Sequence, residues 1–384
     1  MGKKELNKGK TVFVGVSGGV DSSVSAALLI EQGYNVVGVF IRTWQPDFIE
    51  CTWRDERRDA MRVCAHLGIP FIECDAEEAY KNGVAQYMIE EYKKGNTPNP
   101  DVMCNRKVKF GVFWNFAKEH GADFIATGHY AVNNYQLLIN NYELKKSPDL
   151  SKDQSYFLWT LTQDDLAHTL FPIGHFHKTQ VRKLAEKYKL PTATKKDSQG
   201  VCFLGPLDMK DFLSHYIEPK TGDVIDEKGV VIGRHDGAVF FTLGERHGFT
   251  ITKHSTDNIA LYVVEKDINK NTITVSRNKN FTVKDTDNSL LGISSARASR
   301  AVQVLSQQNS CFALKNTNWI LGIPDTSKKY TAQVRYHGEL LLCTIVVESD
   351  SVSRIIFDSQ VFVSPGQSIV VYDKDLCIGG GVVV

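Results

Sequence analysis

Thr11-Val12-Phe13-Val14-Gly15-Val16-Ser17-Gly18-Gly19-Val20-Asp21-Ser22-Ser23 is the stretch on which the fold turns. An apolar run rich in β-branched residues leads straight into paired glycines. Residues 24–30 then continue with helical apolar periodicity, so the segment reads as strand, tight loop, helix. Glycines let backbone N–H groups come close to an anion, and the first helical turn adds unpaired N–H groups and the positive end of the helix dipole. Ser17, Ser22 and Ser23 are expected to add hydroxyl donors, and Asp21 to act on phosphates through a bridging cation such as Mg²⁺. The loop lacks the lysine of G-x-x-x-x-G-K-S/T and does not read G-x-G-x-x-G, so it is neither of those two phosphate loops. Taken alone it also fits an ordinary Ser/Asp-capped helix behind a glycine turn.

Outward from this loop, β-rich runs at 11–16, 35–41, 71–75 and 123–127 alternate with helical patterns at 21–32, 54–67, 76–94 and 107–120. Each helical pattern ends near a glycine: Gly33, Gly68, Gly95 or Gly121. Near-continuous apolar strands separated by helices predict an α/β domain with a doubly wound parallel sheet, which binds ligands beyond the carboxyl ends of its strands. Past about residue 220 the pattern changes to alternation and hairpins, as in 260–265 and 272–276 joined through Asn269-Lys270-Asn271. Runs at 309–314, 330–336, 340–347, 353–357 and 369–372 predict a small closed C-terminal β-barrel. The expected division is 1–210 for the α/β catalytic domain, 211–285 for a small, mostly β central domain and 286–384 for the barrel.

The chain has 384 residues, 42% hydrophobic and 23% charged, which excludes a mostly disordered, collagen-like or coiled-coil protein. Lys and Arg number 45 against 44 Asp and Glu, so no overall field singles out nucleic acid or membrane. The longest apolar runs fall far short of the roughly 20 residues of a bilayer span, and residues 1–10 are basic without an apolar core, so a cytoplasmic protein is expected. Cys51, Cys64, Cys74, Cys104, Cys202, Cys311, Cys343 and Cys377 show no C-x-x-C spacing, against a zinc finger or disulfide scaffold. Cys104 stands among turn-forming residues rather than inside an apolar run, which favours a reactive role. Cys202 lies between a glycine-bearing polar stretch and Phe203-Leu204, and by itself reads either way.

The loop resembles the pyrophosphate loop, or PP-loop, of the N-type ATP pyrophosphatases, which cleave ATP between the α and β phosphates and adenylate a substrate oxygen. Four further motifs narrow the resemblance: Thr97-Pro98-Asn99-Pro100-Asp101-Val102-Met103-Cys104-Asn105, Ala126-Thr127-Gly128-His129-Tyr130, Lys152-Asp153-Gln154-Ser155-Tyr156-Phe157-Leu158, and Lys196-Asp197-Ser198-Gln199-Gly200-Val201-Cys202-Phe203. In order and spacing they resemble the bacterial tRNA-specific 2-thiouridylase family, and the likeness runs on through Val334-Arg335-Tyr336, Pro365-Gly366-Gln367-Ser368 and Gly379-Gly380-Gly381. Glu245 and His247 stand where that family reads Gln and Lys, and Ile41 where a Met is common.

The resemblance implies an ATP-dependent sulfurtransferase acting on the wobble uridine of glutamate, lysine and glutamine tRNAs. ATP would contact Gly15, Val16, Ser17, Gly18, Gly19, Val20, Asp21, Ser22, Ser23, Ile41 and Gly128. Cys202 would carry a persulfide received from a cysteine desulfurase or sulfur-relay protein. Cys104 would be the nucleophile that releases or relays the sulfur, and a Cys104–Cys202 disulfide would be reset by an external reductant. Asp101 would serve as acid/base or orienting group. Asn99, Pro100 and Asp101 would approach the target base, with Lys152, Asp153, Gln154, Arg335 and Tyr336 on the tRNA. An iron–sulfur cluster on Asp101, Cys104 and Cys202 is an alternative to the persulfide. A monomer is expected, with no metal in the protein beyond ATP-bound Mg²⁺. Two rivals stand beside this reading: another ATP pyrophosphatase, such as a GMP-synthetase-like enzyme, and a tRNA-binding module with a degenerate loop.

Overall fold

The computed structural model describes residues 7–49, 53–138, 140–197, 208–252, 260–277 and 310–384. Its first sheet has five parallel strands in the order Phe71–Asp75, Asn35–Arg42, Thr11–Gly15, Phe124–Ala126, Thr169–Leu170. Val12 and Val14 are wholly buried on this central strand, and nine of the twelve residues of the helix Val20–Glu31 are buried behind it. Burial of each such aliphatic side chain contributes about 1.5–3 kcal/mol, and an apolar run flanked by helices satisfies both faces of a parallel strand at once.

The helices predicted at 21–32 and 54–67 form as Val20–Glu31 and Trp53–Leu67. The pattern at 76–94 is an α-helix interrupted by a π-helical turn, Lys81–Gln86. The pattern at 107–120 starts too late, because the helix begins at Pro100. Asn99 caps it by accepting the Val102 N–H, and Pro100 takes the first-turn position, where a missing N–H costs nothing. Pro100–Cys104 is α-helical, Asn105–Val112 is π-helical and Phe113–Glu119 is α-helical again. Cys104 therefore sits inside a helix rather than in a turn, and it is fully buried. The Asn-Pro-Asp triplet that looked like a turn is a helix cap.

The central unit is a five-stranded sheet running from Gly222–Ile225 to Thr272–Ser276, antiparallel except where those two strands pair with each other. The C-terminal barrel closes six strands: Cys311–Trp319, Val352–Phe357, Leu341–Ser349, Tyr330–Gln333, Ser368–Asp373 and Leu376–Val383, the last pairing back to the first. Leu376–Val383 carries Gly379, Gly380 and Gly381, which mask its strand character in sequence. A Cβ on Gly380 would lie 2.4 Å from the Ile369 carbonyl oxygen, so the bare backbone lets neighbouring strands close in. The hairpin Ala131–Gln136/Asn141–Lys146 leaves the first domain and joins the barrel sheet, Lys145 pairing with Leu376. This hairpin ties the α/β unit to the barrel.

Candidate active site between the glycine loop and the barrel

Val16-Ser17-Gly18-Gly19 leaves the central strand, and Gly19 caps the following helix with no side-chain acceptor at its first-turn N–H groups. Gly18 has φ +71°, and a Cβ there would stand 2.6 Å from the Glu56 carbonyl oxygen. Gly128, after the neighbouring strand, lies against the same loop: its Cβ would meet the Ser22 backbone nitrogen at 2.8 Å. Ile41 closes the floor, with its Cδ1 3.5 Å from where a Gly15 side chain would begin. The sequence motifs thus converge around one helix N-terminus. Two of the expected hydroxyl donors turn inward. Ser22 and Ser23 are buried and donate to the Gly19 carbonyl, so they shape the loop, while Ser17 is exposed.

Asp21 lies in a charge network that sequence reading missed. Lys178 donates to both Asp21 carboxylate oxygens at 2.8 Å, and the Tyr130 hydroxyl donates to Oδ1 at 2.8 Å. Lys178 also pairs with Asp197 at 2.9 Å, as do Lys152 at 2.9 Å and Arg182. Burial opposes ionisation of Asp197, but hydrogen bonds from Lys178 and Lys152 outweigh it and hold the carboxyl well below its usual range. Burial, followed by the Asp21 charge and hydrogen bond, pushes the Tyr130 hydroxyl far up, so it stays a donor. Tyr130 lies inside a motif already singled out for Gly128. Asp197 lies inside the motif singled out for Cys202, whereas Lys178 had no local signal, since its significance comes from meeting Asp21 and Asp197 across the fold.

The buried His129 completes this strand end. Its Nδ1 is 2.8 Å from Thr127 Oγ1 and its Nε2 3.4 Å from Lys109 Nζ. Burial, with the Lys109 charge adding to it, holds its pKa well below the usual histidine value and keeps the ring neutral.

The other end of the site is built by the helix from Pro100. Asp101 precedes Cys104 by three residues, on the same side of the helix. Cys202 and the rest of 198–207 lie outside the described residues, so the expected Cys104–Cys202 pair is represented by Cys104 alone. Among the described residues no group of three or more His, Cys, Asp or Glu side chains is arranged to hold a metal ion, and the third ligand of the cluster alternative, Cys202, is not among them.

The barrel reaches this helix through the turn after Tyr330–Gln333. Tyr336 packs on Phe157 with ring centroids 4.3 Å apart and on Tyr156 at 6.3 Å. Tyr156 donates to the Ser368 carbonyl at 2.9 Å, and its oxygen accepts from the Asn99 amide. Burial pushes the Tyr336 hydroxyl up to about 12, with the charges of Asp153 and Asp101 contributing. Arg335, next to Tyr336, is exposed. Asn99, Asp101, Tyr156, Phe157, Arg335 and Tyr336 therefore meet at one place, although they come from three separate motifs.

The Lys152-Asp153-Gln154 motif divides by side chain. Lys152 is half-buried and held by Asp197, and Gln154 accepts the Tyr130 N–H at 3.0 Å. Asp153 faces inward, against its expected tRNA contact. It is 7% exposed, and its carboxylate accepts from Ser147 N, Ser155 N and Ser155 Oγ. Glu245, at the position of the departure from the family pattern, accepts the Thr242 N–H at 2.9 Å within its own turn.

A family model described as "tRNA methyl transferase HUP domain" matches residues 10–206. "tRNA methyl transferase PRC-barrel domain" matches 210–277, and "Aminomethyltransferase beta-barrel domain" matches 309–383. The chain is 38% identical over 378 residues to "tRNA-specific 2-thiouridylase MnmA" of Francisella philomiragia subsp. philomiragia, covering 97% of this chain and 99% of that protein. It is likewise 38% identical over 380 residues to the protein of that name from Francisella tularensis subsp. novicida, covering 98% and 99%. Among solved structures, U34-tRNA thiolase NcsA from Methanococcus maripaludis, 20% identical, covers 55% of this chain and 65% of its own at a TM-score of 0.35.

Proposed function

The chain belongs to the tRNA-specific 2-thiouridylase MnmA family, and from that premise we propose that it adenylates and then thiolates the wobble uridine of tRNA in the cytoplasm, using ATP with Mg²⁺. The observation that carries this reading is one helix. Pro100–Glu119 starts beside the barrel's Tyr336, to which Asp101 couples, and its middle passes the end of the central strand that feeds the glycine loop, where the Phe113 ring lies 3.6 Å from where a Gly15 side chain would begin. A nucleotide at the loop and a base beneath Tyr336 would flank the same helix, with Asp101 and Cys104 between them. The reading takes 1–210 as the adenylating and sulfur-transferring unit, 211–285 as the spacer and 286–384 as the tRNA-contacting barrel.

In this reading uracil O2 attacks the α-phosphorus and pyrophosphate leaves, turning a poor leaving group into an adenylate. Asp101 receives the N3 proton. A relay protein loads Cys202 with sulfane sulfur, which attacks C2 and displaces AMP. The Cys104 thiolate attacks the inner sulfur of Cys202, the S–S bond to the transferred sulfur breaks and frees 2-thiouridine, and a two-electron reductant resets the Cys104–Cys202 disulfide. The first-turn N–H groups after Gly19 would bind phosphate, and Asp21, whose carboxylate accepts from Lys178 and Tyr130, would hold the ATP-bound Mg²⁺, which would offset phosphate charge. Lys152, Gln154 and Arg335 serve the tRNA, while Asp153 supports their loop from within.

Mass spectrometry of tRNA nucleosides after incubation with ATP, Mg²⁺, a cysteine desulfurase and cysteine tests the proposal. Wild type is expected to yield 2-thiouridine, in glutamate, lysine and glutamine tRNAs, and Cys104→Ser and Cys202→Ser to yield none. Pyrophosphate release to another acceptor without 2-thiouridine would refute the sulfur chemistry and leave the loop assignment standing. Activity that tracks bound iron, and survives loss of persulfide on Cys202, would favour the cluster alternative.

A further inference from the structure

The glycine loop lacks its own lysine, yet displacement at a phosphorus atom develops negative charge that enzymes commonly meet with a fixed cation. Lys178, Lys195 and Lys109 stand near the loop, and Lys195 pairs at 2.7 Å with Asp59, which packs on Gly18. The Lys178 ammonium lies between two carboxylates, Asp21 and Asp197. Three observations bear on Lys109.

The first is helix geometry. Lys109 is five residues after Cys104. In an α-helix that spacing puts two side chains about 140° apart. Here Cys104 caps the π-helical segment Asn105–Val112, whose i→i+5 hydrogen bonds set Lys109 one turn above Cys104. The irregular turn thus brings the lysine to the side of the helix that carries the cysteine. The second is the contact with His129. An ammonium can only donate, so at 3.4 Å His129 Nε2 must offer a lone pair. The ring proton is then on Nδ1, facing Thr127 Oγ1 at 2.8 Å. A neutral ring in that tautomer accepts from the ammonium and orients it. The third is location: His129 directly follows Gly128, which abuts the Ser22 nitrogen of the glycine loop.

We propose that Lys109 is a further active-site cation of this protein, stationed between the nucleotide end and Cys104 to supply the positive charge that the glycine loop lacks. The inference rests on the adenylation reading above. In that step the uracil O2–P bond forms, the bond from the α-phosphorus to the α–β bridging oxygen breaks, and pyrophosphate leaves with the electron pair. Lys109 keeps its protons throughout and acts by charge on the α-phosphate oxygens. His129 is its positioning residue.

The test is tRNA-dependent pyrophosphate release by the full chain with ATP, Mg²⁺ and tRNA, comparing wild type with Lys109→Met, Lys109→Arg and His129→Gln. Lys109→Met is expected to lower kcat by roughly 10²- to 10³-fold, the effect of removing one charge-stabilising donor, with the KM for ATP within about threefold. Lys109→Arg, which keeps the charge, should recover at least tenfold over Lys109→Met. His129→Gln should fall between wild type and Lys109→Met. Near-UV circular dichroism on each variant identifies any that fails to fold, and in that case the Lys109→Arg and His129→Gln pair decides. Wild-type kcat in Lys109→Met overturns the assignment. So does a rise in the KM for ATP with unchanged kcat, or an arginine variant as inactive as the methionine one. A wild type that releases no pyrophosphate with tRNA would instead remove the functional reading beneath the proposal.

Discussion

Gly128 and Asp153 show how differently two motif residues contribute once their surroundings are known. A Cβ on Gly128 would stand 2.8 Å from the Ser22 nitrogen and 2.9 Å from the Asp21 carbonyl carbon, both backbone atoms that cannot swing aside. Gly128→Ala is therefore expected to weaken ATP binding about tenfold or more, measured by isothermal titration calorimetry, because it pushes the loop away from the phosphates. Asp153 makes the opposite case. Burial raises its pKa, and the hydrogen bonds it accepts from Ser147 and Ser155 work against that rise. Asp153→Ala should cost on the order of 1–3 kcal/mol of stability in a urea melt by leaving those N–H and O–H donors unpaired. Lys152→Ala should leave stability nearly unchanged while weakening tRNA binding and reducing its salt dependence. A tRNA-affinity loss in Asp153→Ala with no loss of stability would contradict this division.

At the level of elements, the helix Pro100–Glu119 and the turn after Tyr330–Gln333 shape the site. Sequence periodicity found the second half of the helix and not the first, since Asn99 and Pro100 carry a turn signal and a helix-cap signal in the same letters. Its π-helical middle has no sequence signature at all; the geometry belongs to the packed state, where Val108, Phe110 and Phe113 are all buried. The barrel turn is a local element with the exposed cation Arg335 and two stacked rings, Tyr336 and His337, whose centroids lie 3.9 Å apart. Tyr336→Ala is expected to raise the KM for tRNA about tenfold or more with the KM for ATP unchanged, the loss of one base-stacking surface. Tyr336→Phe should retain most of the wild-type value. Equal values for Tyr336→Ala and wild type would show that the ring only fills space against Phe157.

Across the whole molecule the three units meet around residues 96–99. The Thr97 N–H donates to the Pro365 carbonyl at 2.7 Å, Thr97 Oγ1 lies 3.3 Å from Thr242 Oγ1, and the Leu243 N–H donates to Ser364 Oγ at 3.0 Å. Gly366 closes the joint at φ +88°, with Thr97 N 3.0 Å from its absent side chain. Gly366→Val should thus displace the segment leading to Asn99, raising the KM for tRNA with ATP binding intact. The charge network around Asp197 also spans elements and predicts a pH response. Its folded-state pKa lies below its ordinary 3.8, so its stabilisation is complete above about pH 4 and is lost as pH falls toward the folded value. Asp197→Asn should cost on the order of 1–2 kcal/mol at pH 7, a figure reduced for its partial exposure. Below pH 3.8 the variant and wild type should converge, as urea midpoints across that range would show.

The α/β architecture, the glycine loop and the all-β second half were legible in sequence because alternation, helical periodicity and glycine punctuation are local properties of the chain. The motifs containing Gly128, Cys104 and Tyr336 were singled out by their resemblance, in order and spacing, to a known family. What periodicity could not reach depends on distance through space. Lys178 meets Asp21 and Asp197 only because folding carries the three together, Lys109 meets His129 only because a packed π-turn reaches that strand end, and Asp153 is buried only because its loop folds inward. Side-chain type and spacing are written along the chain, whereas charge pairing, burial and the direction in which a side chain faces are decided by neighbours that the chain supplies from far away.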